Sequence, residues 1–345
     1  MIRLGHFLLP WLLLLPLAAA ASLIQPDSIP NAPEDAADNP CNLEDPGFGA
    51  YHAWQKLGQE EEPELGQILI PRQLPLKTDG GFDLIIHFHG GNAARKQMVG
   101  VAQGLVLVGV DLGAGSRAYE RPFSDPSVFP RLLAAAEAAV AERSGQPRAR
   151  VRKLALSAWS AGYGAIRAIL RQRASERVDS VVLIDGLHAD FDEDHPHLPN
   201  AEQMEPFLHF AQKAAKRSRY MFVSHSRIIP PGYASTTLTA HYLTRRVGGK
   251  ISPSVQQDSP YLKRYERARQ GDFSMRGHHG EGKGDHCAQL ALIGEVSAYL
   301  QERWQPKPPP KPSKAKPKPN SNKAKPSGRP TTAQSSKPSQ QAAGT

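Results

Sequence analysis

Short apolar runs rich in β-branched residues alternate along this chain with alanine-rich windows, and this alternation constrains the fold more than any other feature. The runs with the length and hydrophobicity of buried strands are 82–89, 104–111, 151–158, 179–185 and 219–226, with a further strand expected at 273–277. The helical windows are 128–145, 160–174, 201–218 and 287–304. Strands apolar on both faces and mostly followed by helices predict an α/β fold: a mostly parallel central sheet with helices on both faces. In such a fold a ligand site is expected at the carboxyl ends of the strands.

The N-terminal part of the chain differs in composition from this core. Residues 1–21 contain one arginine, an apolar run and a string of alanines, which together predict a secretory signal peptide. The run is interrupted by Pro10 and Pro16 and is shorter than the roughly 20 residues that cross a bilayer, so no transmembrane segment is expected after cleavage. We expect residues 22–80 to form a lead-in segment and residues 81–304 to form the main folded domain.

The C-terminal segment, residues 305–345, has nine Lys or Arg, ten prolines and no Asp or Glu. It has too little apolar surface to offset the entropy of ordering, which predicts a disordered basic tail. The formal charge of +9 belongs to this tail, because the 33 other Lys and Arg residues equal the 33 Asp and Glu residues. We therefore expect no specific nucleic-acid binding by the folded domain. The tail is expected either to contact an anionic envelope surface or only to aid solubility.

The chain has two cysteines, Cys41 and Cys287. In a secreted or periplasmic protein, an even pair predicts a disulfide, here between the start of the mature domain and a residue late in the fold. Two separate thiols are the alternative, because the sequence does not show whether the Cα atoms lie within the necessary distance of about 7 Å.

Residues 158–162 read Ala-Trp-Ser-Ala-Gly and lie between an apolar strand and a helix start. This matches the nucleophile elbow G-x-S-x-G, a strained strand-to-helix turn that exposes a reactive serine, except that Ala158 replaces the first glycine. An ordinary turn with a chance serine is the alternative, since the pattern is short. The interpretation of Ser160 as a nucleophile therefore depends on finding a base, an acid and donors for an oxyanion.

Each of these groups has a candidate near a strand end. His286, in a glycine-rich loop before the last helix, is the preferred base, with His278 and His279 as competitors. Asp185, at the end of an apolar strand, is the preferred acid, in the chain order serine, acid, histidine. Asp190 and Asp192 are alternative acids, whereas Asp285 adjoins the base and is expected to point away from it. The alternatives are that the histidines are ordinary solvated loop residues and that the aspartates only form a turn or cap a helix.

For the oxyanion donors we select the backbone amides of Gly91 and Ala161. Gly91 lies in the turn His89-Gly90-Gly91 directly after the first apolar strand, where glycines let N–H groups face a developing negative charge. Gly90 is the substitute for Gly91, and a simple tight turn is the alternative for the motif.

Together these residues resemble the α/β-hydrolase superfamily on its esterase and lipase side, over residues 80 to 304. The resemblance implies a catalytic triad of Ser160, Asp185 and His286, an acyl-enzyme intermediate and no cofactor. It departs from the family pattern at Ala158, in having only two glycines after His89, and in an acid one strand after the elbow, where the family more often uses the second strand.

The expected function is that of an exported serine hydrolase cleaving a carboxylic ester of a small or polymeric substrate. The alternatives are a peptidase or amidase of the same fold and a catalytically silent, hydrolase-like protein that binds the envelope. No metal is expected, because the histidine-containing segments at 195–197 and 278–286 lack the spacing of a zinc motif.

Overall fold

A computed structural model describes residues 40–58 and 66–305 of the chain. Within them the strands are β1 (Gln55–Leu57), β2 (Gly66–Leu69), β3 (Gly81–Phe88), β4 (Val106–Val110), β5 (Arg150–Trp159), β6 (Ser180–Ile184), β7 (Tyr220–His225), β8 (Ser252–Ser259), β9 (Leu262–Gln270) and β10 (Phe273–His278). All ten join one sheet in the order β1-β2-β4-β3-β5-β6-β7-β10-β9-β8.

The centre of this sheet is parallel and its edges are antiparallel. Strands β4, β3, β5, β6, β7 and β10 form its parallel centre. The pairs β1–β2, β2–β4, β10–β9 and β9–β8 are antiparallel. The carboxyl ends of the six central strands therefore meet at one edge of the sheet, where a ligand site is expected.

The helices are α1 (Gly91–Met98), α2 (Ser116–Phe123), α3 (Val128–Ser144), α4 (Tyr163–Leu170), α5 (Ala201–Ala215), α6 (Thr236–Arg246), α7 (Lys283–Ala288) and α8 (Leu292–Arg303). They divide between two hydrophobic cores, one on each face of the sheet. Helices α2 to α6 contribute to one core, and α1, α7 and α8 contribute to the other. Successive strand residues alternate between the cores, as Leu84 and Ile86 do with Ile85 in β3. Burial on both faces explains why the central strands are continuously apolar.

The fold class predicted from the sequence is confirmed: the protein has an α/β fold with a mostly parallel central sheet and helices on both faces. Two strands of the sheet precede the domain predicted at residues 81–304: β1 and β2 lie in the described part of the segment 22–80 and extend the sheet. These strands are short and lie at an antiparallel edge, so they lack the apolar run that marks a buried strand. The predicted signal peptide and, apart from Gln305, the basic tail lie outside the described residues.

The predicted disulfide is present. Cys41 and Cys287 are bonded, with their Cα atoms 4.9 Å apart and a sequence separation of 246. The bond attaches the first described segment to α7, one residue after His286. Among the described residues, none of the helices combines the length and the hydrophobicity needed to cross a membrane.

Candidate active site

Ser160 lies at a sharp turn between β5 and α4. Its backbone φ of +49° falls in the left-handed region, which a serine rarely adopts and which costs about 1–3 kcal/mol. Residues 160–162 form a single 3₁₀ turn before α4 begins at Tyr163. The half-buried Ser160 is therefore held in a strained conformation at the carboxyl end of a central strand, as expected for a nucleophile elbow.

Two glycines make this turn sterically possible. A Cβ atom at Gly162 would clash with the backbone carbonyl of Phe88 on the neighbouring strand β3. A Cβ atom at Gly186, just after β6, would clash with the backbone of Ser160 itself. Because Trp159 pairs with Ile184, the chain leaves β5 and β6 side by side, and Ser160 and Asp185 are neighbours at the same edge. Ala158, at the position of the first motif glycine, is fully buried in the core.

His286 and Asp185 form a hydrogen-bonded pair at this edge. The Nδ1 atom of His286 lies 2.7 Å from Oδ2 of Asp185, and the two residues are 101 positions apart in sequence. The Asp185 side chain is 1% exposed, whereas that of His286 is 22% exposed. Since a carboxylate only accepts, Nδ1 of His286 carries the proton and Nε2 is left with the lone pair that a general base requires.

The other oxygen of Asp185 is also fixed. Its Oδ1 atom accepts a hydrogen bond from the amide of Ser226 at 2.7 Å and another from the hydroxyl of Thr236 at 2.8 Å. Burial alone would raise the pKa of Asp185, but the hydrogen bonds from His286, Ser226 and Thr236 and the charge of His286 lower this pKa to about 2. The carboxylate therefore stays ionised at neutral pH and orients the imidazole of His286.

Trp159 connects this pair to the elbow. Its ring stacks on the ring of His286, with centroids 4.7 Å apart, and on the ring of His89, with centroids 5.2 Å apart. Its Nε1–H donates to the carbonyl oxygen of His286 at 3.2 Å. Trp159, the residue before Ser160, therefore packs against His286, so that the elbow, the imidazole and the carboxylate lie at one end of the sheet.

The competing histidines and acids have other partners. His278 is buried at the end of β10, with Nε2 2.8 Å from Oδ2 of Asp258. Oδ2 of Asp190 accepts from Gln203 at 2.6 Å. Further competing groups are engaged elsewhere: Asp192 with His195, His279 with the ring of Tyr265, and Asp285 with the amides of Glu281 and Gly282. Of the candidates named from the sequence, the structure brings together Asp185 and His286.

The amides chosen as oxyanion donors lie in different environments. Ala161 directly follows Ser160 in the 3₁₀ turn. The amide of Gly91, in contrast, donates to Asp111 at 3.1 Å, and the amide of Gly90 donates to the same carboxylate at 2.6 Å. Asp111 follows β4 and caps the N-terminus of α1, where a negative charge is stabilised. Gly91 stays a predicted donor, and its use requires that Asp111 release it.

Several residues of the site were not predicted from the sequence. Ser226 and Thr236 donate hydrogen bonds to Asp185, and Asp111 accepts hydrogen bonds from the amides of Gly90 and Gly91. The sheet order brings each of these groups to its partner.

A cavity of about 310 Å³ opens beside Asp111 and Gly91, with Trp54, Gln67 and Asn92 among its other lining residues. It offers space next to the predicted site.

No protein-family model matches the sequence, and no curated protein matches it either. Similar solved structures include a prolyl endopeptidase, at 13% identity and a TM-score of 0.39 over 73% of this chain and 38% of that one. Another is the acylaminoacyl peptidase of Pyrococcus horikoshii, at 14% identity and a TM-score of 0.43 over 74% of this chain and 42% of that one.

The chain thus spans about two fifths of the length of these two structures. Any functional conclusion therefore rests on the geometry of the site described above.

Proposed function

We propose that this protein is an exported serine hydrolase of the α/β-hydrolase type that cleaves a carboxylic ester through an acyl-enzyme intermediate. One observation carries the proposal: Ser160 has a left-handed backbone at a strand-to-helix turn, and the preceding Trp159 stacks on an imidazole that is hydrogen-bonded to a buried carboxylate. A serine hydroxyl is a weak nucleophile on its own and needs such a base, held by such an acid, to react.

In the proposed reaction, Nε2 of His286 takes the proton of Ser160 as Oγ attacks the acyl carbonyl carbon. The C=O π electrons move to oxygen, and the amide of Ala161 donates to the resulting oxyanion. Gly91 acts as the second donor once its hydrogen bond to Asp111 is released. One such donor contributes about 3–4 kcal/mol to the transition state. The imidazolium, stabilised by Asp185, then gives its proton to the leaving alcohol.

The second half of the reaction repeats this chemistry with water. His286 deprotonates a water molecule that attacks the acyl-enzyme, and the carboxylic acid leaves as the proton returns to Ser160. Every step uses only protein groups and water, so the proposal requires no cofactor.

Export is part of the proposal and rests on two independent features. The N-terminal 21 residues have the composition of a signal peptide. The Cys41–Cys287 disulfide is a bond that persists in secreted and periplasmic proteins and is rare in the cytosol. The basic tail is proposed to contact an anionic envelope surface.

A substrate screen tests the proposal and its alternatives. The mature protein is assayed against p-nitrophenyl esters of increasing acyl length and against aminoacyl amides, with Ser160→Ala as the matched control. The proposal expects ester turnover that Ser160→Ala abolishes. Faster cleavage of amides than of esters would favour a peptidase or amidase, and turnover no greater than that of Ser160→Ala would identify a silent hydrolase-like protein.

A further inference from the structure

A second cluster of ionisable side chains lies apart from the Asp185–His286 pair. His225 ends β7, His241 lies on α6, and Glu266 lies on β9. The Oε1 atom of Glu266 is 3.0 Å from Nε2 of His225 and 2.5 Å from Nε2 of His241. The His225 side chain is fully buried, and those of His241 and Glu266 are 21% and 12% exposed. Two imidazoles and one carboxylate thus converge at a largely buried point.

The strand order builds this convergence around one glycine. Strand β10 runs between β7 and β9, and its Gly277 pairs with His225 on one side and with Glu266 on the other. A Cβ atom at Gly277 would lie 2.6 Å from Cε1 of His225 and 2.7 Å from Cγ of Glu266. The two side chains can therefore meet across the intervening strand only because residue 277 has no side chain.

The tautomer of His225 is fixed by its other nitrogen. Nδ1 lies 3.1 Å from the carbonyl oxygen of Ser226 and 3.1 Å from the hydroxyl of Thr237. That hydroxyl donates its own proton to the Ser226 carbonyl at 2.7 Å. Both neighbours of Nδ1 therefore act as acceptors, and Nδ1 carries the proton. In the neutral imidazole the buried Nε2 then presents a lone pair.

This lone pair faces another acceptor. Nε2 of His225 is buried and has no hydrogen-bond partner among the described residues, although Oε1 of Glu266 is only 3.0 Å away. Oε1 of Glu266 does not lie in line with a proton on Nε2 of His225. Two atoms that bind the same metal ion have this relation, because each points at the ion and not at the other. A carboxylate oxygen and an imidazole lone pair are both ligands for a metal cation.

We propose that His225, His241 and Glu266 bind one divalent transition-metal ion of the Zn²⁺ class. Two imidazoles and a carboxylate are a common ligand set for zinc, with a fourth position left for water. At metal–ligand distances of about 2.1 Å, tetrahedral ligand atoms lie about 3.4 Å apart. The two distances from Oε1 of Glu266, 3.0 Å and 2.5 Å, need to lengthen by less than about 1 Å to reach that geometry. The proton on Nδ1 of His225, held by a backbone carbonyl, supplies the orientation that metal-binding histidines usually have.

Metal binding would stabilise the positions of the two residues that donate hydrogen bonds to the predicted acid, Asp185. Ser226, which donates to Asp185, directly follows His225, and Thr236, the other donor, begins the helix that carries His241. An ion at this point would fix the ends of β7 and α6 against β9. This consequence for catalysis rests on the proposed hydrolase function, whereas the metal site itself does not.

The site is tested by zinc binding to the untagged mature protein after dialysis against a chelator. Isothermal titration with Zn²⁺ and elemental analysis are expected to give one bound ion per chain. Glu266→Gln and His241→Asn each remove one ligand and are expected to raise the Kd at least about tenfold. The matched control replaces two exposed loop histidines together, His195→Asn and His197→Asn, and is expected to bind zinc like the wild type.

Three results would overturn the site: no stoichiometric zinc binding, unchanged affinity in both ligand variants, or loss of binding in the control. Circular dichroism checks that the variants fold. If they do not, the visible spectrum of the wild-type protein loaded with Co²⁺ decides, because four-coordinate and hydrated Co²⁺ differ in absorption. Labelling of Ser160 by a fluorophosphonate, measured on the metal-free and the zinc-loaded protein, separates a failure of the metal site from a failure of the hydrolase proposal.

Discussion

Replacing Asp185 by asparagine changes the charge of the predicted triad while keeping its shape, and the structure dictates which way the new amide must point. The Ser226 amide and the Thr236 hydroxyl both donate to Oδ1 of Asp185, so the carbonyl oxygen of the asparagine side chain has to stay on that side. A flipped side-chain amide would leave the Ser226 N–H facing an NH₂ group, at a cost of about 1–3 kcal/mol for a buried unpaired donor. The NH₂ group of the asparagine therefore faces Nδ1 of His286.

That orientation reverses the tautomer of the base. Nδ1 of His286 must then accept, so the proton moves to Nε2, which loses the lone pair needed to deprotonate Ser160. We expect kcat to fall about 10⁴-fold, as for a wrong tautomer in a serine triad. This corresponds to about 5 kcal/mol of transition-state stabilisation. KM is expected to change little, because Asp185 is buried behind His286 and does not reach the substrate.

The assay is steady-state turnover of the best p-nitrophenyl ester from the substrate screen. Asp190→Asn is the matched control, because it makes the same change in an alternative acid that the structure bonds to Gln203. It is expected to retain turnover close to that of the wild type. Asp185→Asn with kcat within tenfold of the wild type, or an equal loss in Asp190→Asn, would refute the assignment of the acid.

The same geometry sets three further expectations. Asp111→Ala frees the amides of Gly90 and Gly91 and is expected to raise kcat/KM; an unchanged value would remove Gly91 from the oxyanion site. Replacing Cys41 and Cys287 by serine opens a cross-link with a sequence separation of 246 and is expected to lower the free energy of unfolding by about 2–5 kcal/mol in urea titrations; an unchanged midpoint would contradict this. Folding lowers the pKa of Asp185, so its ionised form stabilises the fold above about pH 4, by an amount on the order of 2 kcal/mol. This contribution is lost as the pH falls toward 2. The free energies of unfolding of the wild type and Asp185→Asn should therefore converge at low pH, and a constant difference would argue against the shift.

The central strands of the fold could be predicted from the sequence because both of their faces are buried. In strand β4, Val106 and Val108 pack in one core and Leu107 in the other, so the strand is a continuous apolar run. The antiparallel strands outside the parallel centre gave a weaker signal. In β9 the four buried residues are separated by more exposed ones. Two of the four, Arg264 and Glu266, are charged, so the alternation with period two did not appear as a hydrophobic pattern.

Some features of the candidate site depend on residues close together in sequence, and others depend on contacts between distant parts of the chain. The elbow at Ser160 is local, since its strain and its glycine requirement leave a motif within a few residues. Asp185 and His286 could be selected from local features, because Asp185 ends an apolar strand and His286 lies in a glycine-rich loop before the last helix. The contacts of Asp111 and Thr236 depend on which strands are neighbours. The sequence does not give the strand order, so it does not indicate that Asp111 meets the Gly90 and Gly91 amides or that Thr236 meets Asp185.

Mass spectrometry after treatment with a fluorophosphonate tests most directly whether Ser160 is the nucleophile of a working triad. The mature wild-type protein is predicted to gain one adduct, mapped to the peptide that contains Ser160. Ser160→Ala should gain none, and Asp185→Asn should react far more slowly. A folded wild-type protein that gains no adduct, or an adduct on a different residue, would contradict the proposed function.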